Sequence, residues 1–169
     1  TQLTATITAA DIAAAGNASV TVTNPAPGGG TTSALNFVIN NPVPTLASLE
    51  PNNVIAGSAS FTLTLNGTGF NASSTAQVAG TNRATTLVDS TKLTINITSA
   101  EIANAGALNI AVINPAPGGG TTVTQSLTIN NPVPTLTSLS QTTATTGNAG
   151  ITLTVNGTNF VSTSKVRWK

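Results

Sequence analysis

The sequence predicts an all-β protein built from repeated β-sandwich units, and three observations carry that expectation. The first is repetition. NPAPGGGTT begins at Asn24 and again at Asn114, NNPVPTL at Asn40 and Asn130, and TLTxNGTxF at Thr62 and Thr152, a single offset of 90 residues in a 169-residue chain. A strict long period marks a repeat array. The second is alternation: FTLTL at 61 to 65 and LTINI at 93 to 97 put apolar and polar residues on opposite faces of an extended chain, the pattern of a half-buried strand. The third is punctuation by glycine and proline, which leaves room for about seven short strands in each period of roughly 90 residues, the size of a sandwich module.

In chain order, TQLTATI at 1 to 7 sets Leu3, Ala5 and Ile7 against Gln2, Thr4 and Thr6, and TKLTINI at 91 to 97 repeats the pattern. Both are expected to be strands. TAADIAAAG at 8 to 16 and TSAEIANAG at 98 to 106 follow, with Thr8 or Thr98 three residues ahead of Asp11 or Glu101. That is capping-box spacing before a single helical turn, with Ile12 or Ile102 facing inward and Gly16 or Gly106 as the stop. SVTVTNP at 19 to 25 and LNIAVINP at 108 to 115 are the next strands. The nonamer after them mixes prolines that forbid regular structure with glycines that accept unusual backbone angles, so it is read as a strand-to-strand turn.

The closing strands, ALNFVIN and SLTIN, run into NNPVP. Its prolines cannot donate to a ladder, so a sheet must end there, and the segment reads as a module boundary. Beyond it TLASLEP brings Leu46 and Leu49 to a core, and FTLTLNGTGF alternates Phe61, Leu63 and Leu65 with Thr62 and Thr64, with a turn or bulge expected at Asn66-Gly67. TAQVAG and NRATTLV complete the period. The expected interior of 42 to 132 is Phe61, Leu63, Leu65, Leu93, Ile95, Ile97, Leu108, Ile110 and Val112, with Thr62, Thr64, Thr94 and Asn109 pointing outward.

Composition excludes several function classes. Charged residues make up 5% and the net charge is +1, far from the basic balance that phosphate binding demands, so nucleic acid is not an expected partner. No apolar run reaches the roughly 18 residues of a membrane span. With no His or Cys to act as base or nucleophile, and only Asp11, Glu50, Asp89 and Glu101 as acids, the chain is expected not to be an enzyme and to carry no cofactor or metal. A calcium site through the Asn130 and Asn131 carbonyls is the weaker reading beside polar turn residues. GGGTT is followed by neither a lysine nor a helix, which a phosphate cradle requires. Aromatics are 3% of the chain, and Phe37, Phe61 and Phe70 sit at core-like positions. Trp168 is read as core or interface packing rather than a sugar platform. Absence of Cys, Met and Tyr beside abundant Thr, Ser, Asn, Ala and Gly matches bacterial surface proteins, so the expected location is extracellular or at the cell surface. Exposed threonines leave glycans open as partners.

These residues resemble the IPT/TIG domain family. The resemblance rests on Pro-x-hydrophobic from Pro44 to Leu49 and Pro134 to Leu139, on hydrophobic-Thr-hydrophobic-x-Gly-x-x-Phe from Leu63 to Phe70 and Leu153 to Phe160, and on hydrophobic-x-Val-x-Asn-Pro before a glycine turn from Val20 to Gly30 and Ile110 to Gly120. It covers essentially the whole chain and implies an immunoglobulin-like β-sandwich in tandem repeats. The family includes adhesive, spacer and DNA-binding members, so it leaves function open. Residues 1–41 then read as the back half of a module, 42–132 as a complete one and 133–169 as a front half, with no counterpart for Asn82 to Ser90 in the two halves together. The expected function is a structural repeat of an extracellular filament, stalk or matrix array. The alternative is a carbohydrate- or protein-binding adhesin module, which the near-identical copies of the loops argue against. The expected partners are copies of the chain itself, head to tail, by covalent continuity or by strand complementation. The candidate interface residues are Thr1, Leu3, Ala5, Ile7, Val166, Trp168 and Lys169.

Overall fold

The structure, a computed structural model, describes residues 1–168. It is all-β. Four short strands open the chain: β1 (Gly16–Val20), β2 (Thr23–Asn24), β3 (Gly30–Thr31) and β4 (Leu35–Ile39). The central segment holds β5 (Thr45–Glu50), β6 (Asn53–Ile55), β7 (Phe61–Thr68), β8 (Thr75–Val78), β9 (Thr81–Asn82), β10 (Thr85–Asp89), β11 (Lys92–Ile97), β12 (Gly106–Asn114), β13 (Gly120–Thr121) and β14 (Gln125–Asn130). β15 (Thr135–Leu139) and β16 (Val155–Thr158) complete it.

Two sheets organise the central segment. One has the order β10-β11-β7-β5, and the other β6-β14-β12-β8-β9, with β13 paired to β12. Every pairing is antiparallel except β14 with β6, which is parallel. The alternating sequences supply one apolar face to each sheet, and the two faces meet in one cluster: Leu63, Leu65, Leu93 and Ile97 from the first sheet, Ile110, Val112 and Leu127 from the second, all fully buried. This packing is compatible with a β-sandwich. Of the nine residues expected inside, seven are buried, while Phe61 and Leu108 are half-buried and pack against the cluster. Thr62 and Asn109 are exposed and Thr64 and Thr94 half-buried, so the register expected from the sequence holds.

Three expectations need correction. TQLTATI forms no strand: residues 1–7 lie outside every sheet, with Leu3 78% and Ile7 56% exposed. Its copy at 91–97 is β11 because β7 lies beside it, pairing Ile97 with Phe61 and Leu93 with Leu65; residues 1–7 have no such neighbour. The segments after Thr8 and Thr98 form hydrogen-bonded turns rather than helix, and Ile12 is exposed where Ile102 is buried. Phe37, read as core-like, is 49% exposed, since no second sheet covers β1 and β4.

Asn66-Gly67 is not a turn. β7 runs straight through it, and the bulge lies on β5, where the register shifts between Leu46 and Ser48 opposite Gly67 and Asn66. A Cβ at Gly67 would fall 1.9 Å from the Thr45 carbonyl oxygen. The glycine is there for close approach of the bulged strand, not for turn geometry.

Candidate repeat interface

The segment Asn40 to Pro44 joins β4 to β5 and has two prolines without N–H groups, so it cannot enter a ladder. It is nonetheless fixed, because Asn41 is gripped by the glycine turn that follows β12. The Asn41 backbone N–H donates to the Pro117 carbonyl at 2.8 Å, and its carbonyl accepts from the Gly119 N–H at 2.9 Å. Its side-chain Nδ2 donates to the Pro115 carbonyl at 2.7 Å. Its Oδ1 accepts from Asn71 Nδ2 at 2.9 Å and from Ser73 Oγ at 3.3 Å. Asn41 is 8% exposed, and satisfying its amide this fully is what makes burial affordable for a polar side chain.

The turn is built for this guest. Pro115 and Pro117 have carbonyls to offer and no N–H to satisfy. Gly118 has φ +66, and a Cβ there would fall 2.6 Å from Asn40 Cβ and 2.7 Å from the Asn41 carbonyl oxygen, so any other residue would displace the linker. At the root of the turn Asn114, 2% exposed, donates from Nδ2 to the carbonyls of Pro42 and Gly69, both at 2.8 Å, and accepts from Ser74 Oγ at 2.6 Å. Two asparagines thus lock turn, linker and the end of β7 together. From residues alone the nonamer reads as a turn and NNPVP as a boundary, two separate tasks. The missed signal was that carbonyl-rich and amide-rich motifs recur at one offset.

The same turn is assembled at Asn24 to Gly30. β2 pairs with β3 through Thr23 with Thr31 and Asn24 with Gly30. Val22 N–H donates to Thr32 Oγ1 at 3.1 Å, as Val112 N–H donates to Thr122 Oγ1 at 3.0 Å. But a Cβ at Gly28 would meet nothing within 4 Å: the place that Asn40 and Asn41 fill at Gly118 is open at Gly28. At the other flank Asn131 is exposed. β15 and β16 reproduce the bulged pair β5 and β7, with a shift between Leu136 and Ser138, and a Cβ at Gly157 would fall 1.9 Å from the Thr135 carbonyl oxygen. Asn159, with φ 62, stands where Gly69 has φ 72, a left-handed position that asparagine tolerates.

The candidate residues lie on these two flanks. Thr1, Leu3, Ala5 and Ile7 are all exposed. Val166 is 71% and Trp168 88% exposed, and Lys169 lies outside the described residues. Trp168 lines a cleft of about 360 Å3 together with Leu139, Ile151 and Leu153, so it stands beside apolar residues of its own flank. No strand pairing joins residues 1–7 to 166–168 among the described residues.

Asp11 and Glu101 serve the backbone. Asp11 accepts from the Thr8 backbone N–H at 2.8 Å and from its hydroxyl at 2.7 Å, and these bonds hold its carboxyl below the usual value. Glu101 does the same with Thr98 at 2.9 and 2.7 Å and forms an ion pair with Arg83. Burial pushes the Glu101 carboxyl up, but the Thr98 bonds and the Arg83 charge outweigh it and its pKa is lowered. Among the described residues no three His, Cys, Asp or Glu side chains lie together as metal ligands, and no helix is long and apolar enough to cross a membrane. Comparison with known proteins finds no family model and no curated protein that matches this chain.

Proposed function

We propose that this chain is a stretch of an extracellular structural array, in which immunoglobulin-like modules of the IPT/TIG type join head to tail into a filament, stalk or matrix. The observation that carries the reading is the grip of the glycine turn on Asn41, with an open turn of the same sequence on one flank and an exposed copy of the linker on the other. A motif pair whose work is to fix one module to the segment leading into it belongs to an array. On this reading 42–132 is the complete module, and 1–41 and 133–169 are its back and front halves. The outward faces carry Thr and Asn with few charges, which suits a lattice of like chains, where one sign of charge would repel itself. Electron microscopy of the native material is the test: filaments with a regular axial repeat are expected, and dispersed particles without one overturn the reading.

The second reading, an adhesin module, draws on a groove lined by Ser48, Asn52, Asn53, Gln125, Ser126 and Thr128. Amides and hydroxyls of this kind hydrogen-bond to sugars, but the groove has no aromatic platform, and this places the reading second. Binding to a glycan array by the dispersed chain, lost on replacing Asn53 and Gln125, would reverse the order.

A further inference from the structure

Residues 1–41 and 133–168 each expose what the central segment buries. Leu3 and Ile7 correspond at the 90-residue offset to Leu93 and Ile97, both fully buried. Phe160 is 47% exposed where Phe70 is 3%, and Leu136 is 62% exposed where Leu46 is 7%. The central segment shows what covers such faces: the strand and turn elements that residues 1–41 supply, set against the bulged pair that residues 133–168 supply.

We propose that residues 1–41 of one chain close on residues 133–168 of a second copy, with Asn131 of that copy held in the glycine turn at Asn24 to Gly30. The proposal rests on the head-to-tail reading above and gives it a register. Asn131 takes the place of Asn41, with the Pro25 and Pro27 carbonyls and the Gly29 N–H in the roles of Pro115, Pro117 and Gly119. Asn24 takes the place of Asn114, donating to the Pro132 and Asn159 carbonyls. Ser164 Oγ already accepts from the Val161 N–H at 2.8 Å, as Ser74 Oγ does from the Asn71 N–H at 2.8 Å, so its hydroxyl proton is available for Asn24. Residues 2–7 then pair with the stretch 151–156 as β11 pairs with β7, setting Ile7 opposite Ile151, Ala5 opposite Leu153 and Leu3 opposite Val155. One contact is lost, since Val161 replaces the Asn71 that donates to Asn41, while Thr163 keeps the hydroxyl of Ser73. The surface joins unlike faces of two chains, so each chain keeps one open face of each kind and association continues along a line unless it closes.

The 169-residue chain itself provides the test, by sedimentation velocity over a range of concentrations. The wild-type chain is expected to associate with rising concentration. Asn131→Ala removes a side chain that is exposed in the single chain, so it should fold normally and associate at least about tenfold more weakly, tenfold being about 1.4 kcal/mol and within the cost of leaving buried partners unsatisfied. Because the chain has no cysteine, paired substitutions read the register directly. Leu3→Cys with Val155→Cys should give disulfide-linked oligomers, since directly opposed strand positions lie within bridging distance. Leu3→Cys with Thr154→Cys, one residue out of register, should not. A wild-type chain that stays monomeric, a linked monomer in place of oligomers, or equal linkage by both pairs overturns the proposal. If the wild type associates and Asn131→Ala matches it, the register is wrong while the head-to-tail reading stands. That reading is decided separately by the micrographs of native material.

Discussion

TKLTINI at 91 to 97 is a strand with three fully or nearly fully buried apolar residues, and TQLTATI at 1 to 7, with the same alternation, is no strand at all. The difference lies outside both heptamers. β11 has β7 on one side and β10 on the other, whereas residues 1–7 have neither. Alternation gives a chain the capacity to be a strand, and a neighbour with unpaired N–H and C=O groups turns that capacity into structure. The glycine turns make the opposite point. Both copies make the same strand pairing with or without a linker in place, because fixed proline angles and permissive glycines specify it locally, although Gly119 and Gly120 have the positive φ that Gly29 and Gly30 lack. Local motifs are complete in themselves, and sheet elements are not.

Matched substitutions at the 90-residue offset test that contrast. The largest difference is expected between Ile97→Ala and Ile7→Ala. The first empties part of a closed core and should cost about 2–5 kcal/mol, while the second should leave the unfolding midpoint of the dilute chain unchanged in urea titrations followed by circular dichroism. Next come Asn114→Ala and Asn24→Ala. Truncating Asn114 leaves the Pro42 and Gly69 carbonyls and the Ser74 hydroxyl without their partner, at about 1–3 kcal/mol, and the Asn24 change should again be silent in the single chain. An equal loss for both members of either pair would mean that the flanks are already as closed as the centre.

Gly118→Ala and Gly28→Ala share the strain of a positive φ, at +66 and +80, so their difference isolates the linker. The extra methyl at 118 meets Asn40 and Asn41, and its excess destabilisation should be about 1–3 kcal/mol, read from thermal melts of the two variants. The smallest effect is in pH. A lowered folded-state pKa at Glu101 means its stabilisation is present above the ordinary value of 4.5 and is lost as pH falls through the folded value. The central transition should therefore soften in acid below about pH 4.5. Glu101→Gln should flatten that dependence and Asp11→Asn should not, because the Asp11 turn carries no buried core above it.

Much of the central fold was legible from residues alone. The alternation of Phe61 to Leu65 and Leu93 to Ile97 placed each side chain on its correct face, and the prolines of NNPVP marked where β4 and β14 end. Thr98 and Glu101 announced their mutual hydrogen bonds by spacing, though around a turn rather than a helix. Three features were illegible for one reason: each depends on a neighbour distant in sequence. Asn66-Gly67 alone fits a turn or a bulge, and only β5 alongside reveals that the bulge lies on the neighbouring strand and the glycine admits its close approach. Ile12 looked buried because Ile102 is, but the strands that bury Ile102 have no counterpart around Ile12. The embrace of Asn41 by a turn more than 70 residues away leaves no local trace, since the shared offset of the amide-rich and carbonyl-rich motifs does not say that the two touch.

Only Asn40 separates the end of β4 at Ile39 from the anchored Asn41. Tension applied along the backbone ahead of Asn41 therefore reaches the central sheets almost without slack. It loads the two backbone and the side-chain hydrogen bonds of Asn41 together, and Pro42 and Pro44 just beyond, with their fixed φ, do not unwind under the load. Bonds loaded together share the force, where bonds loaded one after another fail singly. A series of such junctions would yield in steps, each at a similar force and each giving up little length before the next element bears the load. Slack at the junction between β4 and the central sheets is thereby limited by a single asparagine and the turn that holds it.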